Sequence, residues 1–236
     1  VLQNPPRMTS HITVISSMAI RQLLADLAVA WQQHSGQTVA VESVGGVDAA
    51  RRVQAGEVFD LVVLAADAID KLMQSGHLQA GSRVDLVRSP VALAVRAGAP
   101  GPDISTEASL RQAVLAARNI GYSTGPSGAH LARLFDRWGL AEQFKTLAVQ
   151  APPGVPVARL VADGTVELGF QQLSELQHQP GVDVLGVLPA GCDFITTFSA
   201  AGCPASAQPA AAAAWLRFIT APERSALVCS QGMQPA

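Results

Sequence analysis

Lysine is almost absent from this chain: Lys71 and Lys145 are the only two among its 16 basic residues. Those 16 are scattered and offset by 18 acidic residues, leaving a net charge of −2. No concentrated basic face is visible, which argues against a nucleic-acid partner. Arginine is the better fork for carboxylates and phosphates, although a GC-rich genome produces the same bias. Cysteine is also scarce. Cys192, Cys203 and Cys229 form neither a CxxC pair nor a Cys/His ligand spacing, so a zinc site is not expected. In an exported chain, Cys203 could pair with Cys229 or Cys192 with Cys203, and the sequence leaves both open. No apolar run approaches the ~20 residues that span a bilayer. The alanine-rich run 210–216 ends at Arg217 and reads as a helix. The chain starts at Val1 with neither Met nor a basic-plus-apolar leader, a start that signal-peptide removal would leave and that engineering of the chain would leave equally. The expected location is therefore the periplasm. Charged residues make up only 14% against 49% hydrophobic, which excludes a disordered chain.

What is present is a repeated alternation of strand and helix. A β-like run over 11–15 is followed by a helical period carrying Met18, Leu23, Leu24, Leu27 and Trp31, stopped by Gly36. Strands are predicted over 38–41 and 60–65, the latter apolar throughout as in a buried parallel strand. Helices are predicted after Gly45-Gly46 and over 68–75. From residue 90 the pattern restarts, with strands over 90–95, 120–123, 147–150, 166–170 and 182–188. Helices are expected over 110–117, 127–138, 155–162 and 171–177. A crossover strand over 194–199 and terminal helices follow. Such alternation predicts an α/β chain of two lobes, each a mixed sheet flanked by helices, with a ligand cleft between them. The expected division is 1–88 with 195–236 as lobe I, and 89–194 as lobe II.

Three turns share one design, a strand followed by small or hydroxyl residues and a helix start. They are Ser16-Ser17-Met18, Ser43-Val44-Gly45-Gly46-Val47 and Ser123-Thr124-Gly125-Pro126-Ser127-Gly128, with Pro152-Pro153-Gly154-Val155-Pro156 as a fourth candidate. Unpaired N–H groups at a helix N-terminus can hold an anion without any charged side chain. The same residues also serve as ordinary helix caps. None of the turns is a phosphate-binding loop, the 121–128 stretch lacks a dinucleotide fingerprint, and no G-x-S-x-G nucleophile turn occurs.

The segments "SSMAIRQLLADLAVAWQQHSG", "VQAGEVFDLVVLAADAIDKLMQSGHL", "YSTGPSGAHLARLFDRWGL", "VADGTVELGFQQLSEL" and "WLRFITAPERSALVCSQGMQP" resemble the periplasmic molybdate-binding protein family, which has the type 2 substrate-binding fold. The resemblance runs from about His11 to the end. It implies two lobes that close on an anion. The family's first oxyanion serine matches Ser17, beside Ser16, whereas its second falls where this chain has Gly46-Val47. A backbone-donor position matches Ser127, next to Gly128, and another falls at Gly154 or Val155. The family's tyrosine falls at Gln172. With two hydroxyls missing and Arg51, Arg52 and Arg88 nearby, the expected ligand is a carboxylate larger than molybdate.

The branch lacking those hydroxyls is similar to bacterial aconitate isomerases, which interconvert trans- and cis-aconitate. That likeness implies a cofactor-free allylic proton shift, with charge delocalised into a carboxylate held by helix N-termini and arginine. The candidate proton carriers are His130, read as facing the cleft, and Glu42 beside the second turn. Glu167 and Glu175 flank Gln171-Gln172, where either could simply cap or pair. The alternative is a transport receptor delivering an organic anion or molybdate to an ABC permease. A monomer is expected in either case.

Overall fold

The structure, a computed structural model, describes residues 11–236. Leu23, Leu24, Leu27 and Trp31 recur at the helical period, are all buried, and make helix α1 (Arg21–Ser35) amphipathic. Gly36 ends it at φ 73°, a left-handed position where its N–H closes on the Gln32 carbonyl at 2.9 Å. Strand β1 (Ile12–Ser17) precedes α1. It pairs in parallel with β2 (Val39–Val44) on one side and β3 (Leu61–Ala65) on the other. Helices α2 (Gly46–Gln54) and α3 (Ala66–Gln74) follow those strands.

Side chains of β1 alternate between two cores. Ile12 and Val14 enter the one capped by Trp31 and Trp215, whereas Ile15 enters the one holding Ala49, Val53 and Ile69. All five β3 residues are buried, as expected of a strand covered on both faces. At roughly 1.5–3 kcal/mol for each large apolar side chain removed from water, such strands anchor the lobe.

Strand β4 (Val84–Arg96) belongs to both lobes. Its first half, to Pro90, pairs with β9 (Ile195–Gly202), and its second half, from Val91, pairs with β7 (Leu168–Gln172) and β8 (Val182–Val187). The sequence pattern starts this strand at residue 90. The structure instead carries Pro90 inside a 13-residue strand. Proline is accommodated there because Pro90 is the last β9 register position, where the partner strand changes.

The second lobe holds α4 (Glu107–Ala116), β5 (Ile120–Tyr122), α5 (Pro126–Arg137), α6 (Ala141–Leu147), β6 (Ala148–Gln150), α7 (Val157–Ala162) and α8 (Leu173–Leu176). The chain then returns through β9 to the first lobe. There α9 (Pro209–Ile219), α10 (Ser225–Ser230) and β10 (Gln234–Pro235) complete it. The strand path is β2-β1-β3-β9-β4-β7-β5-β6, with β8 and β10 also on β4. Along β4 the faces alternate again, with Val91, Leu93 and Val95 in one core and Ala92 and Ala94 in another.

Two expectations are corrected. The predicted helix over 171–177 is shortened to α8, because Gln171 and Gln172 are the buried end of β7. Neither cysteine pairing forms: Cys192, Cys203 and Cys229 are all free thiols, the first two buried. Buried Asp60 ties the first lobe together. It accepts hydrogen bonds from Thr13 N (2.8 Å), Thr13 Oγ1 (3.0 Å), Ser206 Oγ (2.7 Å) and Gln208 N (3.2 Å). Burial raises the affinity of this carboxyl for a proton, but these donors outweigh burial and hold its pKa below the ordinary range.

Candidate functional site

The carboxyl ends of the strands in both lobes open onto one cleft of about 680 Å³. That lies inside the roughly 300–1,000 Å³ range of small-molecule sites. On the first lobe, Ser17 ends β1 and its Oγ accepts from Ala19 N at 3.3 Å, capping a short 3-10 turn (Met18–Ile20). Ser16 lies behind it, fully buried, with its Oγ 2.7 Å from Ser43 Oγ. That bond fastens the first two turns together. In the second turn, Gly45 caps α2 without a side-chain hydrogen bond, so Gly46 and Val47 present first-turn N–H groups at the cleft wall. Arg51, one helical turn on, also lines the cleft and binds Asp48 at 2.7 Å while remaining mostly exposed.

On the second lobe, α5 starts at Pro126 after Gly125, again without a side-chain cap. Ser127 lines the cleft and its Oγ lies 3.2 Å from Ser123 Oγ. Gly128 sits behind the turn, packed so closely on the Ser123 carbonyl that a Cβ would overlap it. In the fourth turn, Gly154 takes φ 76°, which favours glycine, and Val155 N donates to the Pro152 carbonyl at 3.0 Å. Both residues line the cleft, but the adjacent start of α7 is occupied, since Val157 N donates to Gln171 Oε1 at 3.0 Å.

The floor is the β7–α8 junction. Gln171 accepts with Oε1 from Val157 and so must present Nε2 to Glu175, donating to its Oε1 at 2.8 Å. Glu175 lines the cleft with no cation beside it among the described residues, and burial pushes its pKa up to about 7 against the weaker opposing pull of Gln171. Gln172 Nε2 donates to Thr196 Oγ1 at 2.7 Å, and its own Oε1 is buried with no hydrogen-bond partner. The Thr196 hydroxyl can donate as well as accept. Turning the amide over would therefore keep that bond and offer an N–H in place of the unpaired oxygen.

Of the residues singled out from sequence, Ser17, Gly46, Val47, Arg51, Ser127, Gly154, Val155 and Gln172 meet in this one cleft, whereas Ser16 and Gly128 brace its turns from behind. His130, Glu42, Arg52, Arg88 and Glu167 lie elsewhere. His130 falls one position past the cleft-lining Ala129, and the helical rotation turns its ring onto Phe194 (centroids 4.5 Å apart). Its Nε2 lies 2.9 Å from the Cys192 carbonyl oxygen. Burial lowers its pKa, with Arg133 and Arg137 adding to the effect against that carbonyl. Glu42 is exposed at the edge and bound through both oxygens by Arg52, which also holds Glu57. Hydrogen bonds from Arg52 keep the Glu42 pKa low, the opposite of what a base needs. Arg88 is exposed on β4, in register with Thr197 and Gln234, and does not line the cleft. The cleft's own titratable floor group is Glu175, which the sequence leaves as a cap or pair. Its place beside two glutamines at the end of an apolar strand was the available signal.

Two lobes joined through a shared strand, with helix starts facing each other across a cleft, define a binding-protein architecture. Residues 12–234 match the bacterial extracellular solute-binding proteins, and the chain belongs to that family. It is 36% identical over 230 residues to an aconitate isomerase from Pseudomonas sp, covering 95% of this chain and 87% of that protein. Its fold is that of the Azotobacter vinelandii periplasmic molybdate-binding protein (TM-score 0.80, 18% identity, 94% and 98% of the two chains). It is also that of AgtB from A. tumefaciens R10, solved with agropinic acid (TM-score 0.73, 12% identity, 96% and 83%). Among the described residues no helix is long and apolar enough to cross a membrane.

Proposed function

We propose that this protein is a periplasmic isomerase that interconverts trans- and cis-aconitate by a cofactor-free allylic proton shift. The observation that carries this reading is the 36% identity to an aconitate isomerase along almost the whole chain. The cleft is consistent with it, being roomy, free of a tyrosine and lined by helix starts with Arg51 at one wall. In this reading the substrate's carboxylates bind to first-turn N–H groups of α2 and α5 and to Arg51. Removal of a methylene proton leaves charge shared between the two terminal carbons of the allyl unit and their carboxylates. Donors fixed before the reaction stabilise that charge without reorganising. Closure of residues 89–194 against 1–88 and 195–236 would exclude water, and a single chain would suffice.

The direct test is incubation of purified protein with trans-aconitate, followed by ultraviolet absorbance and proton magnetic resonance. Appearance of cis-aconitate supports the proposal, and an unchanged spectrum refutes it. The family itself favours a second reading, a receptor that hands an organic anion or molybdate to an ABC permease. It requires tight binding without turnover, and a thermal shift with molybdate would separate the inorganic ligand from the organic one.

A further inference from the structure

We infer that Glu175 is the catalytic residue that both removes and returns the proton, one carboxyl serving as base and then as acid. This inference rests on the isomerase reading. Five ionisable side chains line the cleft: Asp48, Arg51, Asp67, Lys71 and Glu175. The first four pair off near the rim, Arg51 with Asp48 at 2.7 Å and Lys71 with Asp67 at 3.8 Å, and both cations are largely exposed. Among the described residues, Glu175 alone of the five has no ionic partner. Its one hydrogen bond among the described residues, from Gln171 to Oε1, leaves Oε2 unbonded. No histidine lines the cleft among the described residues.

The placement of α8 strengthens this assignment. Ser174, the residue before Glu175, donates its hydroxyl to the Ala19 carbonyl at 2.7 Å, two residues past Ser17. Helix α8 therefore stands against a turn of the opposite lobe that lines the same cleft. Gln171, held by Val157 on its other side, fixes the carboxyl's orientation with a neutral donor that leaves it basic.

The chemistry balances within the protein and substrate. The Glu175 carboxylate takes a proton from the methylene carbon: a C–H bond breaks, an O–H bond forms, and the electron pair spreads over the three-carbon unit. The same O–H then delivers its proton to the former vinylic carbon, the double bond settles one position along, and the carboxylate is restored. Nothing is oxidised or reduced.

Burial brings the proton affinity of Glu175 to about 7, where a carboxyl can do both jobs near neutral pH. Helix α8 packs against β4, β7, β8, α7 and the Met18–Ile20 turn. The charged residues of those elements are Asp85, Arg88, Arg96, Asp183 and Arg159, and none of them contributes to that value; only burial and Gln171 do.

The test is Glu175→Gln, assayed for turnover of trans-aconitate and, separately, for the thermal shift that trans-aconitate produces. The expected result is a kcat lowered by roughly a hundredfold to ten-thousandfold with the thermal shift retained. A kcat within about tenfold of wild type overturns the inference while leaving the isomerase reading intact. If wild type itself does not turn over, the isomerase reading falls and this inference falls with it. Should E175Q not fold, the wild-type kcat/KM profile decides: a limb rising through about pH 7 supports Glu175, and a flat profile from pH 5 to 9 overturns it.

Discussion

Replacing Glu175 by glutamine should make the protein more stable in alkaline solution and leave it unchanged in acid. A buried carboxyl whose pKa is raised on folding favours the folded state only while it is protonated. That contribution is complete below its unfolded pKa and is lost as pH rises through the folded one. Here the window runs from 4.5 to about 7. At about 1.4 kcal/mol for each tenfold change in proton affinity, the full step is worth about 3 kcal/mol. Glu175 is half-buried rather than sealed, and water reaching Oε2 screens its charge, so a penalty of about 1–2 kcal/mol above pH 8 is expected. Glutamine keeps the volume and stays neutral at every pH. Urea denaturation of both proteins between pH 4.5 and 8.5 should therefore show curves that coincide at the acid end and separate at the alkaline end. By melting temperature the alkaline gap is about 2–8 °C. A gap of equal size at both ends, or a wild type more stable at pH 8.5, would refute the reasoning.

Gly128→Ala should lower the melting temperature by several degrees and weaken ligand binding. A Cβ there overlaps the Ser123 carbonyl oxygen and comes within 2.8 Å of Tyr122 Cδ2, an overpacking cost of about 1–3 kcal/mol that the better helix propensity of alanine only partly offsets. A rise in melting temperature would show that the turn gives way freely. Asp60→Asn should cost about 2–4 kcal/mol by replacing an ionised acceptor of several hydrogen bonds. Because the Asp60 pKa is lowered on folding, that stabilisation is present above about pH 4 and lost below it, so the variant should show less acid-induced destabilisation than wild type when unfolded between pH 6 and 3. His130→Ala should keep kcat/KM within about threefold while losing the Phe194 stack and some stability. A hundredfold loss of turnover would return His130 to the chemistry.

The alternation of strand and helix was legible because each β3 or α1 residue carries its burial in its own hydrophobicity and spacing. The cleft-facing turns were legible for a similar reason. Glycine and serine at a helix start constrain the backbone locally, and the backbone supplies the donors. Side-chain chemistry was not. His130 and Ala129 are neighbours in sequence, and only the packing of α5 against Phe194 decides which of them meets the cleft. Glu42 and Glu175 are the same residue type, separated by Arg52 beside one and desolvation of the other. Both facts arise from how the folded chain packs around each carboxyl. Pro90 misled for a converse reason, since proline ends most strands but not one that changes partners at that residue.

The hydrogen bond from Ser174 to Ala19 links the residue beside the proton carrier to the turn beside Ser17 on the other lobe. In mechanical terms it is an interlock. While it holds, α8 and the Ala19 turn move together, and the carboxyl's helix keeps its place against the first lobe's side of the cleft.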